Sequence, residues 1–196
     1  MSAFPFSMFL FALAASLSPG PVNLVGLGMG ARRGFWPGML HVSGATCGFT
    51  LLLVLIGFGL RAVLEQWPWL LWLIRWAGAG FFLFMAWKLW RDPGRLDAGE
   101  ASSGSLFLHG ALMQWLNPKA WLASAAGMGA FAADGDAGRI WLFAAMYFVV
   151  CFASLACWVW AGCYLRGWMQ VQRRVRLLNR ALAGMLLLCV PGMLLG

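Results

Sequence analysis

Ser18-Pro19-Gly20-Pro21 interrupts an apolar stretch running from Phe4 to Met29, and Asn117-Pro118-Lys119 interrupts a second from Leu106 to Ala132. A backbone opened at membrane depth is costly, because lipid offers no partner for freed N–H and C=O groups. It is tolerated where the gap is buried in protein or lines a polar cavity. Two such gaps at matched depth in two halves of a chain point to the binding site of a transporter.

Composition supports lipid as the solvent. Of 196 residues 62% are hydrophobic and 10% charged, and the mean hydropathy is +0.79. A soluble domain is nearer half apolar and a quarter charged. The net charge of +8 does not indicate nucleic acid, since the arginines lie between long apolar runs and form no basic face. Cys47, Cys151, Cys157, Cys163 and Cys189 fall inside apolar segments, are odd in number and repeat no metal spacing. Neither disulfides, a metal nor another cofactor is expected. No Lys or Arg precedes the first apolar run, which argues against a cleaved signal peptide.

A helix needs about 20 apolar residues to cross the hydrocarbon core. Six segments qualify, at roughly 4–29, 38–63, 68–90, 106–132, 140–164 and 178–196. Trp67, Trp69 and Trp72 at one end of the third and Trp87 and Trp90 at the other suit interfacial belts. The loops after spans 1, 3 and 5 hold Arg32, Arg33, Lys88, Arg91, Arg95, Arg166, Arg173, Arg174, Arg176 and Arg180, against Arg61, Arg75 and Arg139 on the other side. That bias places both termini away from the cytoplasm. The expected fold is therefore an all-α integral membrane protein, a single domain over 1–196. Its two three-helix repeats, about 4–91 and about 106–196, are joined by a cytoplasmic linker at about 92–105.

Three spans per half make the second half enter the membrane in the opposite sense, an inverted repeat. Offset by 99 residues, positions 12–31 and 111–130 share eight identities. These include Pro19 with Pro118, and Gly-Met-Gly-Ala at 28–31 with the same four residues at 127–130.

In Pro19-Gly20-Pro21, each proline lacks a donor and glycine loosens the backbone further. The stretch reads either as a structural kink or as an opened helix flanked by the polar side chains of Ser18 and Asn23. Lys119, fourteenth in its span, sits where an ammonium costs roughly 2.5–3.5 kcal/mol to insert. It is open to three roles: attraction of a substrate carboxylate, a tether between the two interrupted helices through their exposed carbonyls, or a purely structural charge. Helix N-termini beyond Pro21 and Pro118 add positive dipole ends. The substrate-binding candidates are Ser18, Pro19, Gly20, Pro21, Asn23, Asn117, Pro118 and Lys119. No carboxylate lies within a span, so the proton-relay candidates are His41, near the cytoplasmic start of span 2, and Asp134 or Asp136 beyond span 4. The alternative, and the stronger reading for His41, is a polar residue close to a loop.

Gly44-x-x-x-Gly48 suits close helix packing. Cys151, Cys157 and Cys163, six apart, share no helical face. Arg166 to Arg180 carries five arginines and no acid, with Trp168, Val171, Val175 and Leu177 between them. It reads as an interfacial helix against anionic lipid or as a cytoplasmic topology determinant.

Ser18-Pro19-Gly20-Pro21 with Asn23, and Gly110 through Leu116-Asn117-Pro118-Lys119-Ala120, resemble the signature pair of the lysine exporter/homoserine–threonine exporter (LysE/RhtB) family. Ala77-Gly78-Ala79-Gly80 followed by Phe84-Met85-Ala86-Trp87-Lys88 is similar to that family's third span, and Asn179-Arg180 with Ala183-Gly184 to its sixth. The resemblance covers nearly the whole chain. It implies a six-span, dimeric exporter of amino acids or their derivatives in the bacterial inner membrane, driven by an ion gradient, with proton antiport as the default coupling. Two places depart from the pattern. Phe49 follows Gly48 where many members carry a polar or acidic residue, and Ala123-Ser124-Ala125-Ala126-Gly127 replaces an aromatic run. Both bear on substrate choice, a cationic substrate above all. The rival readings are a non-transporting membrane subunit or scaffold, and a transmembrane thiol–disulfide relay. The relay would require cysteines where Ser18 and Asn117 stand.

Overall fold

A computed structural model describes residues 3–59, 66, 68–91, 103–167 and 171–195. Every regular element among them is helical. In chain order these are α1 (Ala3–Leu17), α2 (Pro21–Arg33), α3 (Phe35–Gly57), α4 (Pro68–Arg91), α5 (Ser103–Trp115), α6 (Pro118–Phe131), α7 (Ala137–Leu165) and α8 (Gln172–Leu195). Arg61, Glu65, most of the 92–105 linker and Trp168 lie outside the described residues.

The first apolar stretch folds as two helices. α1 stops at Leu17, and α2 starts with Pro21 as its first residue and Gly20, in extended backbone, ahead of it. A proline at the first helical position costs nothing, because its missing N–H would have no partner there. The two axes differ by 60°. The second stretch divides likewise, with Asn117 as the N-cap of α6 and Pro118 as its first residue. Between α2 and α3, Gly34 has φ +93°, a left-handed conformation that glycine adopts at no steric cost and that stops one helix before the next begins.

By length and composition α3 and α7 can each cross a membrane, and α1 and α2 can do so together. Around an apolar core that includes Met8, Leu52, Met113 and Phe143, the distribution of the other side chains differs from that of a water-soluble protein. Ser16, Asn23, His41, Thr46, Gln114, Asn117, Ser124, Ser154 and Asn179 are buried, while Trp36, Leu122, Tyr164 and Leu188 are each more than two-thirds exposed. Large apolar side chains outside and polar ones inside fit hydrocarbon as the surrounding medium.

α3 packs along α5 and α7, α7 also along α1 and α2, and α4 along α8. Two of these crossings bring backbone onto backbone. A methyl group on Gly44 would overlap the Phe107 carbonyl and one on Gly110 the His41 carbonyl, joining α3 to α5. A methyl on Gly30 would overlap the Val159 carbonyl and one on Gly162 the Leu27 carbonyl, joining α2 to α7. Small residues permit this approach, and dispersion between the backbones holds it where lipid gives no hydrophobic driving force.

The basic run differs from the interfacial helix expected of it. α7 ends at Leu165, and Arg173, Arg174, Arg176 and Arg180 lie in the first turns of α8, which runs on without a break to Leu195. No proline or glycine stands between Gln172 and Ala183 to stop it. Val175 is buried against Ala31 and Leu165, and Arg180 lies over the Trp90 ring, 5.4 Å from its centroid.

Candidate functional site

The end of α1 exposes carbonyls that no longer have a helical partner, and side chains from three other helices supply the donors. Asn23 Nδ2 on α2 donates to the Ser16 carbonyl at 2.8 Å. Trp158 Nε1 on α7 donates to the Leu17 carbonyl at 3.3 Å. Lys119 Nζ on α6 donates to the Ser18 carbonyl at 2.6 Å and to Ser18 Oγ at 2.8 Å, with the Pro19 carbonyl 3.5 Å away. Ser18 Oγ in turn donates to the Ala15 carbonyl at 3.1 Å.

The end of α5 is closed by its own neighbours. Trp121 Nε1 donates to the Trp115 carbonyl at 2.8 Å, and Trp115 Nε1 to the Gly48 carbonyl at 3.1 Å. Asn117 Oδ1 accepts from the Lys119 backbone N–H at 3.1 Å, while Asn117 Nδ2 donates to Gln114 Oε1 at 3.2 Å. The Ser16, Leu17, Ser18 and Trp115 carbonyls, freed at the two gaps, thus each find a side-chain donor.

Lys119 stands at the N-terminus of α6, where the helix dipole opposes a cation. Its ammonium instead reaches the C-terminal carbonyls of α1, where the dipole favours one. Gly20 makes room for that reach, since a Cβ there would lie 3.2 Å from Lys119 Cδ and Nζ.

Between the two gaps lies a cavity of about 30 Å³ open to water centres, enough for about two waters. Its polar wall is Ser16, Asn23, Gln114, Asn117, Lys119 and Tyr147. Of the predicted residues, Asn23, Asn117 and Lys119 line it. Ser18, Pro19 and Gly20 adjoin it through Lys119, and Pro21 and Pro118 begin the helices that frame it. Phe49 and Ala123, the two departures from the family pattern, are both in its wall.

Ser16, Gln114, Tyr147 and Cys151 escaped the sequence reading. Ser16 Oγ lies beside Tyr147 and Cys151 but makes no hydrogen bond among the described residues. Gln114, three residues before Asn117 in an otherwise apolar span, was the one signal available.

The proton-relay candidates lie elsewhere. His41 is fully buried at the α3–α5 crossing, its ring centroid 5.3 Å from that of His109. Asp134 is exposed in the turn between α6 and α7, where it pairs with Arg139 at 2.8 Å. Asp136 caps α7 through the Arg139 backbone N–H at 2.7 Å. Among the described residues no group of three or more His, Cys, Asp or Glu side chains could hold a metal ion. Of the four cysteines whose side chains are described, Cys151 alone touches the cavity. Cys47 and Cys157 are exposed and Cys163 is partly buried.

Residues 13–195 match the family described as LysE type translocator. The chain is 28% identical over 185 residues to the cysteine/O-acetylserine efflux protein of Escherichia coli strain K12, covering 91% of each chain. The proteins of the same name from Shigella flexneri and Escherichia coli O157:H7 are 28% and 27% identical over the same coverage. No solved structure matches the chain significantly.

Proposed function

The chain belongs to the LysE type translocator family, and on that premise we propose that it exports a small zwitterionic amino acid or amino-acid derivative by exchange for protons. It is a multi-pass transporter of the bacterial inner membrane and not an enzyme. The observation that carries the substrate reading is the Lys119 ammonium in the cavity, resting on the Ser18 carbonyl and hydroxyl.

A zwitterion can replace that arrangement bond for bond. Its carboxylate takes the Lys119 ammonium and the positive N-terminal ends of α2 and α6. The Ser18 and Pro19 carbonyls that Lys119 releases then accept from the substrate ammonium. A bare anion would leave those carbonyls without a partner. A cationic side chain would find no carboxylate, because among the described residues none lines the cavity. With room for about two waters, the cavity must open as Lys119 moves. The names of the relatives make cysteine and O-acetylserine the first solutes to test.

The architecture proposed with this function is six spans in two inverted repeats, about 4–91 and 106–196. α1 with α2 and α5 with α6 form the interrupted first spans of each half. Several correspondences support it. Shifted by 99 residues, α1 to α4 fall on α5 to α8 with offsets of a few residues at most ends. The α3–α5 packing also has its counterpart in α7–α1, and α2–α7 in α6–α3. The remaining parts of the proposal are termini facing the periplasm, anionic lipid along the arginines of α8, and a homodimer.

The test is counterflow in proteoliposomes with labelled O-acetyl-L-serine, L-cysteine, L-serine and L-lysine. Exchange of neutral solutes without L-lysine is expected. Exchange of none of them, with a stoichiometric partner protein co-purifying, would favour the scaffold reading instead.

A further inference from the structure

Apart from the cavity, one cluster of titratable side chains is buried between helices. His41 Nδ1 on α3 lies 3.5 Å from His109 Nδ1 on α5, beside the point where Gly110 meets the His41 carbonyl. His41 is fully buried and His109 half-buried. His41 Nε2 has no hydrogen-bond partner among the described residues. The charged groups that act on the pair are Lys88 on α4 and Arg33 at the end of α2. The described carboxylates, Asp134 and Asp136, stand in the turn after α6.

Further unpartnered polar atoms lie between α3 and α7, next to the cavity. Thr46 Oγ1 is fully buried without a hydrogen bond among the described residues, a rise of about 7.5 Å farther along α3 than His41 and on the face turned to α7. Thr46 adjoins Cys151, which adjoins Ser16, and Cys151 and Ser16 both form part of the cavity wall. Buried polar atoms without protein partners are the usual seats of ordered water.

We propose that His41 and His109 together form the proton-coupling site of the exporter, connected to the solute cavity by water along Thr46, Cys151 and Ser16. This rests on the exporter reading above. The neutral pair holds one proton between the facing Nδ1 atoms. One further proton binds an imidazole lone pair and gives an imidazolium–imidazole pair with a charge-assisted bond. A second would set two N–H groups and two like charges face to face. The site therefore takes one proton per cycle. By the arginine bias the pair lies at the cytoplasmic end of spans 2 and 4, so a proton entering through the opened cavity leaves from the half-buried His109 to water.

The test separates exchange from coupling. His41→Gln and His109→Gln proteins are reconstituted, and O-acetyl-L-serine counterflow is compared with uptake or efflux driven by an imposed pH gradient. Melting temperature is read for each variant. Counterflow retained with loss of gradient-driven movement, and with a wild-type proton-to-solute ratio near one, supports the site. Gradient-driven movement at the wild-type rate in both variants overturns it, as does equal loss of both activities in a protein that melts normally. If His41→Gln melts early, the half-buried His109→Gln decides. Absence of counterflow in the wild type would instead remove the exporter reading for this solute.

Discussion

Lys119 Nζ lies 2.6 Å from the Ser18 carbonyl oxygen, 101 residues away in sequence, so the one ammonium of the cavity neutralises the negative end of α1. Of the three roles open to Lys119, that bond makes it a tether, and it is compatible with the proposed attraction of a carboxylate. It ties the two interrupted helices together, and it holds a charge where a carboxylate could displace its partners.

The first prediction concerns that charge. A hydrogen bond to an ionised group contributes about 1.5–3 kcal/mol, roughly tenfold or more in affinity. Lys119→Met is therefore expected to weaken solute exchange by at least about tenfold. Its melting temperature should change little, because Ser18 is exposed and cavity water can take the vacated carbonyl. Transport by Lys119→Met at the wild-type rate would remove Lys119 from the binding site.

Asn23 should behave in the opposite way. The Ser16 carbonyl that it serves belongs to a buried residue. Asn23→Leu leaves that carbonyl without its donor at a cost of about 1–3 kcal/mol. A lower melting temperature in detergent is expected, visible even without solute.

The glycine crossings allow a paired test. Gly110→Ala and Gly162→Ala press a methyl into the facing carbonyls of His41 and Leu27, and separating the helices costs about 1–3 kcal/mol or more. Gly104 and Gly129 have nothing within 4 Å of the same methyl. Gly129→Ala is expected to leave the melting temperature unchanged or raise it, since alanine is favoured in helices by up to about 1 kcal/mol.

A variant with alanine at all five cysteine positions is expected to keep most of its transport. Buried thiols such as Cys151 act as small apolar side chains. Complete loss of activity in that protein, rescued by one restored cysteine, would bring back the thiol relay.

The two gaps and the place of Lys119 beside them were legible in the sequence because each depends on local rules: proline at a first helical turn and an ammonium in an apolar span. What stayed hidden depends on which helices meet. Tyr147 and Cys151 lie on the apolar α7, and nothing in their neighbours distinguishes them from lipid-facing positions. His41 was visible as a lone polar residue, but its partner is 68 residues away. The basic run after Leu165 looked like a separate surface helix, since arginine-rich segments next to spans often are. Its continuity with α8 follows from the absence of any residue that would stop the helix.

The Lys119 side chain also bears on what the protein does when no solute is present. Lipid cannot serve the last carbonyls of α1, so the chain supplies its own lysine to them, at the place where the proposed substrate ammonium would rest. On the proposed reading, a solute that lacks either end of the zwitterion would not take over both sets of bonds, and would open no passage. On the same proposal, Lys119 would both admit the cargo and hold down idle leakage of protons and small ions.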